Sequence, residues 1–239
     1  MKNTFGPDLR VAAPAAPTRQ QVVEKLRKAI IEGHFASGGR LIERDLCERT
    51  GVSRGSVREA LRQVEAEGLI KIIPNVGPIV AMLSAEEVRQ IFEVQAELLG
   101  LVGCLFVQHA PASACAELAR CLKEMDCKIR EGDWEELQTI NTMFFEKLME
   151  GTGNDFLAAE VTRIRARVSA FRKMRLSSKE DATKRLEELR LIVEALKLRD
   201  ARAARRACAA HIKSSAMLAI RVLSSETASR ERRARRVAE

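Results

Sequence analysis

Two short helical segments separated by the residues TGVS constrain the fold of this chain more than any other feature of its sequence. Residues 43–50 are predicted to form one helix ended by Gly51, and Ser53 can cap a second helix that runs to about Glu67. Apolar residues of the second helix recur at three- and four-residue steps, at Val57, Ala60, Leu61 and Val64. This pattern predicts a helix-turn-helix.

A hairpin is predicted directly after the helix-turn-helix. The segment GLIKIIPNVGPIV alternates apolar β-branched residues around a turn that ends at Gly77. An earlier helix is predicted to begin at Thr18, which is spaced from Gln21 as in a capping box. We therefore predict a winged helix-turn-helix over residues 18–81, preceded by a proline-containing disordered arm over residues 1–17.

From Ser84 onward the sequence predicts helices only. The expected helices cover residues 84–109, 112–130, 133–150, 155–174, 179–199 and 201–223. Aromatic residues make up 4% of the chain and Tyr is absent, which disfavours a strand-rich fold. The fold class is therefore predicted as mainly α, with an antiparallel bundle of about six helices over residues 84–223. The charged tail, residues 224–239, has no apolar stripe and is predicted to be disordered.

Basic residues concentrate on one side of the second helix of the helix-turn-helix. Lys and Arg outnumber Asp and Glu by 41 to 33, a net charge of +8 that permits nucleic-acid binding. Arg54, Arg58 and Arg62 share a face at four-residue spacing, away from the apolar stripe. On an arbitrary helix such a row would be a solvated face. On the second helix of a helix-turn-helix that is followed by a hairpin, the guanidinium groups can reach guanine edges or phosphates. Ser53 and Ser56 at the helix start can take a phosphate. We predict double-stranded DNA as the partner.

Several other classes of protein are disfavoured. The six cysteines form no C-x-x-C pair, so neither a disulfide framework nor a zinc pattern is indicated. The N-terminus lacks a signal-peptide core, and no segment shows the uninterrupted apolar length of a membrane span. A soluble cytoplasmic protein is expected. No nucleophile elbow, phosphate loop or catalytic carboxylate pair is present, so no enzyme is expected.

Two longer motifs resemble a known family. GHFASGGRLIERDL is similar to the pattern G-x-F-x-P-G-x-x-L-x-E-x-x-L, with Ser37 in the place of proline. GVSRGSVREALRQVEAEGLI is similar to G-V-S-R-x-P-V-R-E-A-L-x-x-L-E-x-E-G-L, with Ser56 in the place of proline. Both resemble the GntR-type bacterial transcription regulators, in the FadR-type branch whose C-terminal FCD domain is an all-helical effector-binding bundle. The resemblance extends from about Thr18 to Ile212.

The resemblance implies a homodimer that binds an inverted-repeat operator. It assigns DNA contacts to Arg44, Arg54 and Arg58, and a position near the minor groove to Gly77 at the wing tip. Val76 stands where arginine or another polar residue is common, so minor-groove contact by the wing is not predicted. Arg62 has no matching role and is expected to contact the DNA backbone or to be solvated.

Many relatives hold a divalent metal in the bundle through one aspartate and three histidines. The four corresponding positions here are Asn141, Phe145, Leu189 and His211, so we predict neither a metal nor another cofactor. Gln95 stands where relatives tend to carry an arginine that meets an acidic effector. These five residues are expected to surround a mostly apolar pocket, which favours an apolar or acyl-type effector.

Two alternative functions remain open at the level of sequence. One is an effector-independent dimeric DNA-binding regulator, in which the pocket is filled by side chains. The other is a cysteine-based redox regulator, which the scattered spacing of the cysteines disfavours.

Overall fold

The computed structural model describes residues 16–168 and 178–238, which form nine helices and two strands. The chain divides into two compact units, Met1–Met82 and Leu83–Glu239. This division lies beside the boundary between the two predicted domains. Residues 1–15 of the predicted arm lie outside the described residues.

The first unit is a winged helix-turn-helix. Its elements are α1 (Ala16–Ile31), α2 (Glu43–Thr50), α3 (Arg54–Ala66), β1 (Ile70–Ile73) and β2 (Gly77–Val80). Helix α1 begins two residues before the predicted start, so Thr18 lies inside the helix and not at its cap. Gly51 ends α2 with a φ of 71°, and its N–H donates to the Cys47 carbonyl at 2.8 Å. The left-handed conformation explains why glycine occupies this position.

The two strands form an antiparallel hairpin, in which Ile70 pairs with Val80 and Ile73 with Gly77. Apolar side chains from α1, α2, α3 and the hairpin fill one core: Val22, Val23, Leu26, Leu46, Val57, Leu61, Ile70 and Val80 are buried. Arg27 on α1 donates two hydrogen bonds to Glu67 after α3, at 2.8 and 2.6 Å. This pair joins the first helix to the end of the third, and the Glu67 carboxylate raises the pKa of Arg27.

The second unit is an all-helical bundle, which confirms the predicted fold class. Its described helices are α4 (Ala85–His109), α5 (Ala112–Glu131), α6 (Trp134–Glu150), α7 (Asp155–Arg167), α8 (Lys179–Lys197) and α9 (Ala201–Ala238). Ser84 and Glu87 form the predicted capping box, and the Asp133 side chain caps α6. Helix α7 ends at Arg167, seven residues before the predicted end, and residues 169–177 lie outside the described part of the chain.

The C-terminal segment differs from the prediction. Disorder was expected from residue 224, but helix α9 continues to Ala238. Arg, Ala and Glu make up 11 of the 16 residues from 224 to 239, and all three have high intrinsic helix propensity. The backbone hydrogen bonds of a helix do not require an apolar stripe. The lack of such a stripe therefore did not predict correctly whether this segment is helical.

Helix α4 is the central helix of the bundle and packs most extensively against α9. A Cβ at Gly103 would lie 3.0 Å from the Ala204 carbonyl oxygen and 3.0 Å from the Cys208 Sγ, so the glycine permits close approach of the two helices. Contrary to the expectation that no segment has the length of a membrane span, α4 is long and apolar enough to cross a membrane. Its apolar residues instead contribute to the bundle core, with 44% of an apolar 18-residue stretch of the helix buried.

Candidate DNA interface and bundle interior

The basic face of α3 is exposed. Arg54, Arg58 and Arg62 lie on the solvent side of the helix, while Val57 and Leu61 on the opposite side are buried in the core of the unit. Burial of the apolar stripe therefore fixes the direction in which the arginine row points. Arg44 lies exposed on α2, the preceding helix of the motif.

Most of these arginines have carboxylate neighbours. Arg58 Nε donates to Glu43 Oε2 at 2.9 Å, which joins α3 to the start of α2. Arg62 pairs with Glu59 on its own helix at 3.1 Å. The Arg44 Nε lies 3.6 Å from Asp45 and 3.8 Å from Glu48. Exposed pairs of this kind contribute little to stability, so a phosphate or guanine can replace the carboxylate at small cost.

Arg54 differs from the other three arginines. Across the described ranges it has no ion-pair partner, while Arg44, Arg58 and Arg62 each have one. It is also the first residue of α3, where the positive end of the helix dipole favours an anion. The charge of Arg54 is therefore the most available of the four for DNA.

The start of α3 also carries two hydroxyl groups. The Ser56 N–H donates to the Ser53 side chain at 3.3 Å, and the two hydroxyl oxygens lie 3.1 Å apart. Ser56 stands where the GntR-type pattern has proline, which has no N–H to donate to this cap. The first N–H groups of a helix have no intrahelical acceptor, so those of Arg54 and Gly55 are suited to a phosphate.

The wing presents mainly apolar side chains. Gly77 has a φ of 95°, and nothing lies within 4 Å of the place where a Cβ would stand, so its backbone conformation is what favours glycine. Ile72, Ile73 and Val76 are exposed along the hairpin. Lys71 is the single basic residue in the hairpin sequence from Ile70 to Val80.

The interior of the bundle contains two buried arginines stacked beside one aromatic ring. The Arg165 Cζ lies 3.8 Å from the centroid of the Phe145 ring, and the Arg185 Cζ lies 5.7 Å from it. Arg165 is 7% exposed and Arg185 is 2% exposed, and Phe145 is fully buried. Such contacts stabilise a guanidinium and hold its plane.

Further polar groups surround the ring. Arg185 Nε donates to Asn141 Oδ1 at 3.1 Å. The His211 ring lies 5.7 Å from the Phe145 ring, and its Nδ1 is 2.8 Å from Glu188 Oε2. We name this group the arginine cluster; it consists of Asn141, Phe145, Arg165, Arg185, Glu188 and His211.

The arginine cluster corrects the expected chemistry of the pocket. Asn141, Phe145 and His211 come together as expected, but the surroundings are not mostly apolar, because two guanidinium groups are buried there. Leu189 is buried in the apolar core. Gln95 is 3% exposed on α4, and its Oε1 has no hydrogen-bond partner within the described residues.

Arg165, Arg185 and Glu188 were not identified from the sequence. A signal was present for Arg185, which follows Ala182 by three residues and precedes Leu189 by four, on the buried side of α8. An arginine at a core position of an amphipathic helix indicates a buried charge that must be stabilised by its surroundings.

The residues that replace the metal ligands do not fit a divalent cation. Phe145 and Leu189 have no lone pair, and the Asn141 oxygen accepts a hydrogen bond from the positively charged Arg185. No group of three or more His, Cys, Asp or Glu side chains that could hold a metal occurs in the part of the chain that the structure describes.

Comparison with known families decides the identity of both units. The model for bacterial regulatory proteins of the gntR family matches residues 18–80, and the FCD domain model matches residues 90–214. The chain belongs to the GntR family of transcription regulators. The motifs of α2 and α3 and the helical bundle thus confirm the resemblance seen in the sequence, and this regulator is not an enzyme.

Individual relatives agree with this assignment. The regulator is 28% identical over 205 residues to the HTH-type transcriptional regulator YdhC of Bacillus subtilis, covering 85% of this chain and 91% of that protein. It is 26% identical over 190 residues to the gluconate operon transcriptional repressor of the same organism, covering 77% and 78%. The structure of E. coli McbR/YncC has the same fold, with a TM-score of 0.74, 21% identity and coverage of 91% and 100%.

Proposed function

We propose that this regulator binds an inverted-repeat operator in double-stranded DNA as a homodimer, in the cytoplasm, and that a small molecule inside its bundle changes its DNA affinity. The observation that carries the DNA part is the exposed arginine row on α3, in which Arg54 has no carboxylate partner within the described residues. The second helix of a helix-turn-helix lies in the major groove, with its N-terminal residues at the base edges.

In this proposal Arg54 and Arg58 contact bases or phosphates, because both lie in the first turns of α3. Arg44 reaches the same surface from α2. The hydroxyls of Ser53 and Ser56, with the first N–H groups of α3, contact a phosphate. Arg62 lies farther along the helix and contacts the backbone.

The wing has a smaller role in the proposed complex. Gly77 lets the hairpin turn tightly next to the DNA backbone, and Lys71 can contact phosphate. The exposed Val76 at the turn offers no donor to the minor groove.

A homodimer is supported by an apolar stripe on α4. We name it the α4 stripe; it consists of Ile91, Val94, Leu98, Leu101 and Leu105. These residues alternate steps of three and four, which is the spacing of a helix-to-helix seam. Val94 is 54% exposed and Leu101 is 38% exposed, while the other three are partly buried. A second copy of the chain packed on this stripe would remove it from water.

A two-fold dimer would present two α3 helices to two half-sites about 34 Å apart, one turn of the DNA helix. An effector in the bundle changes DNA affinity only if it binds more tightly to one dimer geometry than to another. The bundle interior is the proposed effector site because it contains buried polar and charged side chains.

Titration of the regulator against the intergenic DNA upstream of its own gene tests the proposal. Because both side chains are exposed, we expect Arg54→Ala plus Arg58→Ala to leave the fold intact and to remove specific binding, with about 1–3 kcal/mol lost for each base contact. Arg120→Ala, at an exposed arginine of α5, is the matched control. Unchanged binding by the double variant would refute the DNA interface.

Salt dependence separates the roles of the arginines. Arg62→Ala should weaken binding to operator and to unrelated DNA alike and reduce the salt slope by about one. Arg54→Ala should instead lower the ratio of specific to nonspecific affinity. Equal behaviour of the two variants would remove the distinction between base and backbone contacts.

The second candidate is a regulator without an effector. It is favoured by the pairing seen within the arginine cluster, where Asn141 already binds Arg185 and Glu188 already binds His211. In that case the buried polar groups stabilise the bundle, and no small molecule alters DNA affinity.

A further inference from the structure

We propose that Glu43 positions Arg58 to read a guanine in the major groove, so that Glu43 helps to determine which DNA sequence the regulator binds. This inference rests on the proposed DNA interface and deepens it. Arg44 and Arg62 have carboxylate neighbours on their own helices, whereas Arg58 on α3 is held by a carboxylate from α2.

The hydrogen bond to Glu43 occupies one edge of the Arg58 guanidinium. Arg58 Nε donates to Glu43 Oε2 at 2.9 Å, and across residues 16–168 and 178–238 the terminal nitrogens of Arg58 donate to no acceptor. These two nitrogens form a planar fork of donors that matches the O6 and N7 atoms of guanine. A guanine can therefore bind the fork while Glu43 stays on Nε.

The fold holds both helices that carry this hydrogen bond. Leu46 of α2 and Val57 of α3 are buried in the core of the unit. Glu43 is the first residue of α2, where the positive end of the helix dipole favours a carboxylate. Its side chain is 32% exposed, against 62% for Arg58. An arginine that is ordered by such an acceptor before binding loses less conformational freedom on contact with DNA.

The charge of Glu43 favours a base over a phosphate as the ligand of Arg58. A phosphate beside Arg58 would also lie close to the Glu43 carboxylate, and like charges repel. A guanine edge carries no net charge and presents two acceptors. Arg54 has no ion-pair partner in the described part of the chain, so a phosphate can approach it without this repulsion. Two arginines one helical turn apart are thus suited to different ligands.

Selection from a pool of DNA duplexes with a random core tests the proposal on the full chain. Sequencing of the bound fraction gives the base preference at each position. We expect a guanine preference in each half-site that Arg58→Ala reduces about tenfold or more, because the bidentate contact is lost. Glu43→Gln should reduce the same preference about threefold or more, because the fork is less firmly held. A preference that depends on Arg54 should persist in Glu43→Gln.

Affinity for an unrelated duplex should change in the opposite direction. Glu43→Gln removes a negative charge beside the proposed interface, so it should tighten binding to unrelated DNA while it weakens the guanine preference. Asp45→Asn is the matched control, because Asp45 is an acid of the same helical turn that lies 3.6 Å from Arg44. It should also tighten binding to unrelated DNA but leave the guanine preference of Arg58 intact.

A second variant separates the contact from the charge and guards against loss of folding. Glu43→Asp keeps the negative charge at the start of α2 but withdraws the carboxylate by one methylene group. It should weaken the guanine preference without tightening binding to unrelated DNA. Circular dichroism checks that each variant is folded, since an unfolded chain would lose affinity for both kinds of DNA.

A double variant separates an indirect role of Glu43 from a direct one. In a chain that carries Arg58→Ala, Glu43→Gln should cause no further loss of guanine preference, because Glu43 acts through Arg58. Further loss would show that Glu43 contacts the base itself and would overturn the inference.

Two other results would also overturn the inference. One is an unchanged guanine preference in both Glu43 variants. The other is an equal gain in affinity for selected and unrelated DNA in Glu43→Gln, which would show that Glu43 only competes with DNA for Arg58. A wild-type chain without any sequence preference would remove the proposed operator binding as a whole. A wild-type preference that is independent of Glu43 would remove this inference alone.

Discussion

At the scale of single residues, Gly151 is constrained by its neighbours and not by its backbone. It follows α6 with φ −61° and ψ −14°, a conformation open to any residue. A Cβ at this position would lie 2.3 Å from two atoms of the buried Phe106 ring. Only a residue without a side chain therefore fits under that ring.

We expect Gly151→Ala to destabilise the bundle by about 1–3 kcal/mol, because the Phe106 ring must shift within a packed core. Urea denaturation followed by circular dichroism measures the change. Gly55→Ala is the control: its nearest non-neighbouring atom is Ser53 Oγ at 3.8 Å, and alanine in a helix is favoured over glycine by about 0.5–1 kcal/mol. A Gly151→Ala protein as stable as wild type would show that the ring moves freely.

The reactivity of three cysteines also depends on their surroundings. Burial raises the pKa of Cys208 to about 12 and also raises the pKa of Cys121. Cys127 is exposed, but its hydrogen bond to Glu131 raises the pKa of its thiol as well. Since the thiolate is the reactive form, these environments disfavour a redox sensor at the three positions.

We therefore expect Cys208 to resist iodoacetamide in the folded protein near pH 7 to 9, because its thiol stays protonated until the pH approaches its pKa of about 12. Mass spectrometry of native and denatured samples measures the difference. Treatment with peroxide should leave operator binding unchanged. Rapid modification of Cys208 together with loss of DNA binding would instead support the redox alternative.

At the scale of secondary-structure elements, local signals located three helix starts correctly but not the start of α1, which begins at Ala16 and not at Thr18. Ser53, Ser84 and Asp133 each cap the helix that their spacing predicted. Helix ends were less predictable. Helix α9 continues through a charged segment that has no apolar stripe but is rich in Arg, Ala and Glu, which favour a helix.

Helix α4 has two apolar sides that its sequence does not separate. One side, with Val88, Phe92 and Leu99, is buried in the bundle, and another side carries the α4 stripe. Both sides are apolar, which is why the helix also has the composition of a membrane span. The burial of each side distinguishes core from surface.

At the scale of the whole molecule, we expect Val94→Glu plus Leu101→Glu to convert the proposed dimer into a monomer. Both side chains are exposed in a single chain, so the fold should persist, while two charges per subunit would face their copies across the stripe. Sedimentation equilibrium measures the mass, and affinity for a full operator should fall much more than affinity for a half-site. Leu191→Glu, at an exposed leucine of α8, is the control. A dimer that survives the double change has its interface elsewhere.

The sequence by itself determined the order of the two domains, the helix-turn-helix and the exposed direction of Arg54, Arg58 and Arg62. These features depend on local periodicity, on capping residues and on a contiguous family motif, all of which are readable along the chain. The sequence also showed that Phe145 and Leu189, at two of the expected ligand positions, cannot bind a metal.

Only the tertiary structure decided the chemistry of the bundle interior. Arg165 and Arg185 lie on different helices, and neither is near Phe145 in sequence, yet both stack beside its ring. Their convergence results from the packing of α6, α7 and α8, which residue spacing within any one helix does not specify. For this reason an interior expected to be mostly apolar contains two buried positive charges.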